Sequence, residues 1–207
     1  MLLHTIYLVA IIAEAMSGAI MGMRRDMDLF GICLIGTVTA LGGGTIRDVL
    51  LGHYPLSWIA NPEYLMFTIG AAIVTAVVAR VLHHARTVFL VVDGLGLVAF
   101  TVIGCNVAMA SGMAPGIVVV AGLITGIFGG VLRDVLCNEI PWVLRRELYA
   151  TVSLLTGGLY VGLLWLKIDI NIASLVAIGT GFLFRLLAIR FHWRLPSFNG
   201  ATIRGLD

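Results

Sequence analysis

Charged side chains are scarce in this sequence of 207 residues. Only 12% of the residues are Asp, Glu, Lys or Arg, whereas 60% are hydrophobic, and Lys167 is the sole lysine. A soluble globular domain carries about 25% charged residues, and a disordered chain has low hydrophobicity and high net charge. Both classes are therefore excluded. With a mean hydropathy of +1.06, the composition indicates an integral membrane protein.

Metal-ligand clusters and a basic surface are also lacking. The three cysteines, Cys33, Cys105 and Cys137, have no metal-ligand spacing and suggest no disulfide framework. The net charge of +2 leaves no basic face for a nucleic acid. No phosphate-binding loop and no trio of nucleophile, base and orienting group stands out. We therefore expect neither an enzyme nor a resident cofactor or metal, and no nucleic-acid or soluble protein partner.

Long apolar runs divide the chain into seven predicted membrane spans. A transmembrane helix needs roughly 20 mostly apolar residues. Runs of about that length cover 2–23, 29–51, 63–82, 88–111, 115–137, 147–166 and 172–191. The breaks between these runs are short and hold most of the charge. We therefore predict an all-α integral membrane fold with seven transmembrane helices, in a single membrane domain over residues 1–207.

A twelve-residue motif occurs twice, 86 positions apart. Residues 39–50 read TALGGGTIRDVL and residues 125–136 read TGIFGGVLRDVL. The first three spans, 2–82, therefore repeat as the next three, 88–166, and the seventh span is unpaired. Because three is an odd number, the second copy enters the membrane from the opposite side. Inverted repeats of this kind are common in transporters and channels.

The basic residues predict the orientation of the chain in the membrane. Nine arginines lie in or beside the first, third and fifth connections and the tail, whereas Lys167 alone lies on the other side. Basic residues concentrate in cytoplasmic loops. The bias therefore predicts an extracytoplasmic N-terminus and a cytoplasmic C-terminus. The nine residues are Arg24, Arg25, Arg80, Arg86, Arg145, Arg146, Arg190, Arg194 and Arg204.

Glycines recur in the second and fifth spans, near the predicted middle of the membrane. They are Gly42, Gly43 and Gly44 in the first copy, and Gly129 and Gly130 in the second. Consecutive glycines weaken a helix, and a broken helix in a membrane is expected only beside protein or water. We therefore expect broken helices that border a pore. The alternative is close helix packing, because small residues let two backbones touch.

Each glycine pair is followed by a buried charge pair. Arg47 and Asp48 follow the first, and Arg133 and Asp134 follow the second, all within apolar runs. Charges inside a membrane are costly and usually mark a pathway. We therefore expect these four residues to set pore charge or gating. The alternative is structural pairing, including pairing across the two repeats.

Three further ionisable residues lie within apolar runs. Glu14 and Asp93 are each the sole acid of their span, and Arg185 lies near the end of the last span. Lone carboxylates inside spans favour a cation route or a proton relay. The alternative is a protonated or hydrogen-bonded acid at a helix interface. Arg185 is close enough to the membrane surface for its side chain to reach the interface, so we assign it little functional weight.

Taken together, these motifs resemble bacterial members of the trimeric intracellular cation (TRIC) channel family, which is also described by a duplicated "glycine transporter" domain. The resemblance is carried by Gly-Gly-x-x-Arg-Asp at 43–48 and 129–134, by Asp-Gly-x-Gly at 93–96, and by Arg-x-x-Ala-x-Arg at 185–190. It covers the whole chain. It is carried by sequence motifs rather than by composition.

The resemblance implies a homotrimer in the bacterial inner membrane. It also implies a separate pore in each protomer, lined by the second and fifth helices at their glycines. The expected ligands are permeant monovalent cations, mainly potassium and also sodium, together with bound membrane lipid. Two functions remain open at this stage. One is a passive cation channel, and the other is a secondary transporter for a small amino acid such as glycine.

Overall fold

The structure is a computed structural model, and it describes residues 2–78, 85–145 and 148–193. Every regular element in these ranges is an α-helix. The elements are α1 (Leu2–Met23), α2 (Leu29–Leu51), α3 (Ser57–Ala60), α4 (Glu63–Val78), α5 (Ala85–Ala110), α6 (Pro115–Leu136), α7 (Trp142–Arg145), α8 (Tyr149–Trp165) and α9 (Ile170–Arg190).

The long helices lie where the apolar runs predict them. α1 and α2 have the predicted bounds, and α5, α6 and α9 differ from prediction by one to three residues at their ends. These five helices are long and apolar enough to cross a membrane. α4 and α8 are apolar but shorter, with 16 and 17 residues. Parts of two predicted spans and several of the counted arginines lie outside the described residues. They are the end of the third span (79–82), the first residue of the sixth (147), and Arg80, Arg146, Arg194 and Arg204.

Local signals in the sequence begin and end several helices. The Asp28 carboxylate accepts a hydrogen bond from the Gly31 backbone at 2.7 Å and so caps the start of α2. Gly52 ends α2 in the left-handed conformation, with φ of 64°, which glycine adopts without strain. Pro115 occupies the first turn of α6. These caps explain why the bounds of α2 and α6 could be predicted closely.

The helices pack as two similar groups of four, with α9 outside them. α1 packs against α2, α4 and α5, and α5 packs against α6, α8 and α9. α2 and α6 cross each other between the groups, and the short α3 and α7 follow them. α1 and α5 are the most deeply buried of the five long apolar helices. The core of the protein therefore lies around α1, α5 and the α2–α6 crossing.

Equivalent contacts recur 86 positions apart in the two groups. A methyl group added at Gly36 would lie 2.9 Å from the carbonyl oxygen of Ala15, and one at Gly122 would lie 2.7 Å from that of Thr101. Such distances are closer than ordinary van der Waals contact. Small residues at these points let α1 approach α2, and α5 approach α6, as is typical of helix packing in membranes.

The distribution of polarity is inverted relative to a soluble protein. Large apolar side chains such as Phe30, Met66 and Trp165 are exposed. Among the described residues, seven acidic or basic side chains are instead buried to at least 98%. They are Glu14, Arg47, Asp48, Asp93, Arg133, Asp134 and Arg185. In a membrane, charged groups are expected to face the bundle interior, so this distribution supports a lipid-facing exterior.

Candidate functional site

α2 and α6 cross with their backbones in direct contact at the first glycine of each duplicated pair. A methyl group at Gly43 would collide with the carbonyl oxygen of Thr125, and one at Gly129 would collide with the carbonyl oxygen of Thr39. Each contact is the counterpart of the other, 86 positions along the chain. Because glycine has no side chain, it lets two helix backbones approach this closely. Gly43 and Gly129 therefore define the crossing point.

The predicted helix break at the duplicated glycines is wrong. α2 is a continuous α-helix from Leu29 to Leu51, and α6 is continuous from Pro115 to Leu136. An intact helix satisfies its backbone carbonyl groups internally, which is strongly favoured in hydrocarbon. Close packing at the crossing compensates for the poor helix propensity of glycine. The alternative of close packing is therefore correct for Gly43 and Gly129.

The second glycine of each pair borders an arginine. A methyl group at Gly44 would lie 3.6 Å from Nη2 of Arg47, and one at Gly130 would lie 3.5 Å from Nη2 of Arg133. Gly42 differs, because a methyl group there would lie 2.5 Å from a terminal carbon of Leu132. The predicted pore glycines therefore have different surroundings. Gly43 and Gly129 pack backbones, whereas Gly44 and Gly130 leave space beside the buried guanidinium groups.

A serine from α3 forms hydrogen bonds to both members of the first charge pair. Arg47 donates hydrogen bonds from Nε and Nη2 to Oδ1 of Asp48, at 3.0 and 2.7 Å. Ser57 donates from its backbone nitrogen and its hydroxyl to Oδ2 of Asp48, at 2.8 and 2.7 Å, and its hydroxyl accepts from Nη2 of Arg47 at 3.1 Å. The imidazole Nδ1 of half-exposed His53 lies 3.5 Å from Oδ1 of Asp48. The first site is therefore a single ion pair with neutral polar neighbours.

The second charge pair has an additional acid. Arg133 donates from Nε to Oδ1 of Asp134 at 2.8 Å, and from Nη1 to Oδ1 of Asp93 at 2.6 Å. Nη1 also donates to the hydroxyl of Ser17 at 2.6 Å. The backbone nitrogen of Trp142 donates to Oδ2 of Asp134 at 2.9 Å, much as Ser57 does at the first site. Arg133 thus links α1, α5 and α6 through hydrogen bonds to both charged and neutral groups.

The arginines do not pair across the two copies of the motif. Arg47 bonds to Asp48, which follows it in the chain, and Arg133 bonds to Asp134 in the same way. The additional partner of Arg133, Asp93, belongs to the second copy as well. Among the described contacts, the ion pairs therefore form within each copy, and Arg133 bonds to the first copy through the neutral Ser17.

Glu14 lies beside the Arg133 cluster without a hydrogen bond to it. Its carboxylate fits against Gly96, where any added methyl group would collide with it. Asp93, Arg133 and Asp134 are close enough to interact electrostatically with Glu14. Among the described residues, Oε2 of Glu14 has no hydrogen-bond partner. Glu14 therefore adds a third carboxylate to the surroundings of one arginine.

The two duplicated sites differ in charge because the equivalent positions carry different residues. The position 86 residues before Asp93 is Tyr7, and the position 86 residues after Glu14 is Phe100. The rings of Tyr7 and Phe100 lie together, with centroids 6.1 Å apart, and Tyr7 interacts electrostatically with Arg47. Aromatic groups thus occupy the places at the first site that carboxylates occupy at the second.

Arg185 is buried, which contradicts the expectation that its side chain reaches the membrane surface. Only 1% of the residue is exposed, and its guanidinium carbon lies 4.8 Å from the ring centroid of Tyr149. Its Cγ would be 3.1 Å from a methyl group at Gly94. Packing against α5 and α8 therefore holds this side chain inside the protein. Tyr149, Ser17 and Ser57 are polar members of the sites that sequence reasoning missed.

A cavity of about 560 Å³ lies next to the Arg133 cluster. Phe89 and Trp142 form one part of its wall, in edge-to-face contact with ring centroids 5.1 Å apart. The guanidinium carbon of Arg133 lies 4.8 Å from the Phe89 ring centroid. Phe89 therefore contacts both the cavity and the buried ion pair. The other lining residues are Ile20, Met21, Arg24, Arg86 and Glu139.

The acids surround an arginine and do not converge as metal ligands. Within the described part of the chain, no group of three or more His, Cys, Asp or Glu side chains could hold a metal ion. Cys33, Cys105 and Cys137 are free thiols. The chemistry of the site is therefore that of fixed charges and hydrogen bonds inside an apolar exterior. These features define a polytopic α-helical membrane protein with charged groups along its interior.

Comparison with known proteins gives the family. A family model described as "Glycine transporter" matches residues 4–80 and again residues 90–165. The UPF0126 inner membrane protein YadS of Escherichia coli K12 is 38% identical over 200 residues, which is 96% of this chain and 97% of that protein. The chain belongs to the family of UPF0126 membrane proteins, which this model describes.

Solved structures support the same family. The TRIC trimeric intracellular cation channel orthologue from Rhodobacter sphaeroides is 33% identical and superposes with a TM-score of 0.88, over 91% of this chain and 97% of that chain. A second structure, reported as the structural basis for conductance through TRIC cation channels, is 34% identical. It superposes with a TM-score of 0.87, over 95% of this chain and 97% of that chain. The resemblance that the motifs indicate is therefore confirmed.

Proposed function

We propose that this protein is a passive channel for monovalent cations, mainly potassium and also sodium. The observation that carries the proposal is the pair of buried Arg-Asp sites, each one turn beyond the α2–α6 crossing at Gly43 and Gly129. Its relatives of solved structure are described as cation channels. In this proposal the protein acts by binding and passing ions, without a catalytic step or resident cofactor.

The proposed ion path runs beside the second glycines of the duplicated pairs. Gly44 and Gly130 leave space beside the guanidinium groups of Arg47 and Arg133. A fixed positive charge next to a narrow path opposes cation entry, and at an effective dielectric constant of about 20 two unit charges 4 Å apart interact by about 4 kcal/mol. The neighbouring aspartates reduce this opposition. We therefore propose that the Arg-Asp pairs set the barrier for cations.

We further propose the assembly and orientation that the channel requires. Seven transmembrane helices in two inverted repeats, with α9 as the seventh, form one pore in each protomer of a homotrimer in the bacterial inner membrane. The recurrence of packing contacts 86 residues apart supports the repeat. The arginine bias supports an extracytoplasmic N-terminus and a cytoplasmic C-terminus. Lipid bound to the apolar exterior is the remaining partner.

The experiment that tests the proposal is a planar bilayer recording on purified, reconstituted protein. Under a potassium chloride gradient, a cation channel gives unitary currents that reverse near the potassium equilibrium potential. Replacing potassium with sodium on one side measures the relative permeability. Protein-free vesicles from the same preparation are the control. Currents that reverse near the chloride potential, or no currents from folded protein, would contradict the proposal.

A second candidate function is a secondary transporter for a small amino acid. The observation in its favour is the family model described as "Glycine transporter", which matches the chain twice. A transporter takes up its substrate with saturable kinetics that depend on a coupling ion, whereas a channel passes ions down their gradient. Uptake of radiolabelled glycine into the same vesicles separates the two. Saturable, gradient-coupled uptake without unitary currents would favour the transporter.

A further inference from the structure

We propose that Glu14 is a proton-binding site and that loss of its proton favours cation passage past Arg133. The effect on cation passage rests on the proposed channel function, whereas the existence of the proton site does not depend on that function. The carboxylate of Glu14 is 2% exposed, and Oε2 has no hydrogen-bond partner among the described residues. A buried carboxylate without partners is costly when charged, so a bound proton stabilises it.

The charges around Glu14 favour the bound proton. Three carboxylates, on Glu14, Asp93 and Asp134, share one guanidinium, that of Arg133. Both hydrogen-bonded ion pairs of Arg133 go to Asp93 and Asp134, and none goes to Glu14. Like charges that share a site cannot all be ionised without a large electrostatic cost. Glu14 is the member without a cationic partner of its own, so it is the member that takes the proton.

The other titratable groups near α1 lie on four neighbouring helices. On α8, the Tyr149 hydroxyl is buried and has no hydrogen-bond partner in the described structure. On α9, the guanidinium carbon of Arg185 lies 4.8 Å from the centroid of the Tyr149 ring. On α2 and α4, the charged and titratable groups Arg47, Asp48, Glu63 and Tyr64 act on or near Tyr7 instead.

A second buried carboxylate oxygen without a donor lies in the same cluster. Oδ2 of Asp93 is buried and has no hydrogen-bond partner among the described residues, as is the case for Oε2 of Glu14. Asp93 and Gly96 lie one turn apart on the same face of α5, and Gly96 contacts the Glu14 carboxylate. Two buried carboxylate oxygens thus lack donors within one helical turn. A proton on the Glu14 carboxyl group supplies a donor at this point.

The proposed site acts at one end of the molecule only. At the first site, around Arg47, the equivalent positions carry Tyr7 and Phe100 in place of the two acids. The cavity beside Phe89 and Trp142 lies at the Arg133 end. This end carries Arg24 and Arg86, and the proposed orientation therefore places it toward the cytoplasm. Cytoplasmic pH is thus expected to control proton occupancy and, through the added negative charge, cation passage.

Infrared spectroscopy of reconstituted protein tests the proton site without any requirement for conduction. We expect a carbonyl stretching band of a protonated carboxyl group at neutral pH, which shifts in deuterium oxide and disappears at high pH. Glu14→Gln should remove this band, whereas Glu63→Gln, at an exposed residue, should leave it. If Glu14→Gln fails to fold, glutamate labelled with ¹³C at the carboxyl group shows in the unaltered protein whether the band comes from a glutamate or from Asp93 or Asp134, and the same label in Glu63→Gln excludes Glu63. A band that survives Glu14→Gln, or is insensitive to the glutamate label, would overturn the proposal.

Potassium flux at different cytoplasmic pH tests the consequence. Flux should rise with pH in the unaltered protein, by no more than about tenfold per pH unit for one proton. Glu14→Gln should conduct with no such dependence, while Glu63→Gln keeps it. A full pH response in Glu14→Gln would overturn the link to conduction. An infrared band without any potassium flux would instead contradict the channel function and leave the proton site in place.

Discussion

The backbone of Gly43 on α2 packs directly against the carbonyl oxygen of Thr125 on α6. The equivalent contact recurs between Gly129 and Thr39. The two helices that carry the buried charge pairs are therefore fixed to each other at a backbone contact, without a side chain between them. This relationship separates residues that hold the crossing from residues that border the proposed ion path, and the separation can be tested by mutation.

Gly43→Ala is expected to destabilise the protein. A methyl group there collides with the Thr125 carbonyl, which belongs to a helix backbone and cannot move without shifting α6. Overpacking of this kind costs about 1–3 kcal/mol. Thermal unfolding in detergent, followed by loss of the folded peak in size-exclusion chromatography, measures the effect. Gly70→Ala is the matched control, because nothing lies within 4 Å of a methyl group there. Equal midpoints for the two variants would contradict the packing role of Gly43.

Gly44→Ala and Gly130→Ala are expected to alter conduction while the fold is retained. An added methyl group has 3.5–3.6 Å to the nearest guanidinium nitrogen, which is ordinary contact, so the stability change is small. The same methyl group narrows the space beside Arg47 or Arg133. Single-channel recordings should therefore show a lower unitary current at an unchanged unfolding midpoint. If both variants conduct as the unaltered protein does, the proposed ion path lies elsewhere.

Arg47→Gln is expected to raise cation conductance, and Asp48→Asn is expected to lower it. The first change removes a fixed positive charge from the proposed path, and the second leaves Arg47 without its acidic partner. Removing one member of a buried pair also costs about 3–5 kcal/mol, so the yield of folded protein should fall in both. Unitary current is therefore compared with the yield of folded protein in each variant. If the folded fraction of both variants gives unchanged currents, the Arg47–Asp48 pair contributes only to stability.

Arg133→Gln is expected to be more damaging than Arg47→Gln. It leaves Asp93, Asp134 and Glu14 with no guanidinium among them, whereas Arg47→Gln leaves only Asp48. A denaturant series at one pH measures the free energy of unfolding of each variant, and the two values are compared. We also expect a lower pH to recover more stability in Arg133→Gln, because protonation removes the repulsion between the carboxylates that remain charged there. An equal loss of stability in both variants would contradict the charge difference between the sites.

The Ser57 hydroxyl is expected to stabilise the first site measurably. It donates to Asp48 at 2.7 Å and accepts from Arg47 at 3.1 Å, so Ser57→Ala leaves buried charged groups with fewer partners. The expected loss is about 1–3 kcal/mol. Ser111→Ala is the control, since the Ser111 hydroxyl donates to the carbonyl of Val107 in its own helix. A midpoint shift no larger than that of the control would show that Ser57 is dispensable.

Much of the helix arrangement could be predicted from the sequence because local signals specify it. Apolar runs and caps such as Asp28 and Gly52 define where the long helices begin and end. The duplicated motif identified four of the charged residues that the structure finds buried. Both kinds of information lie within short stretches of chain, and neither depends on how distant helices pack.

The errors concern residues whose surroundings come from other helices. The glycine pairs were expected to break α2 and α6, but the tight contact of Gly43 with Thr125 stabilises continuous helices instead. Arg185 was expected at the membrane surface, but α8 contributes Tyr149 as a buried partner. The sequence pattern also gave no indication that Ser17 on α1 bonds to Arg133 on α6. Tertiary packing decides these cases.

The unequal charge of the two duplicated sites has a consequence for the direction of current. One end of the proposed path has a balanced ion pair at Arg47, and the other has three carboxylates around Arg133. In the proposed channel, a cation is therefore expected to meet a skewed energy profile, with its deepest minimum displaced toward the Arg133 end. Channels with such a profile rectify: at equal and opposite voltages they pass different currents. The difference between Tyr7 and Phe100 at one site and Asp93 and Glu14 at the other is thus expected to make the current of the proposed channel depend on its direction.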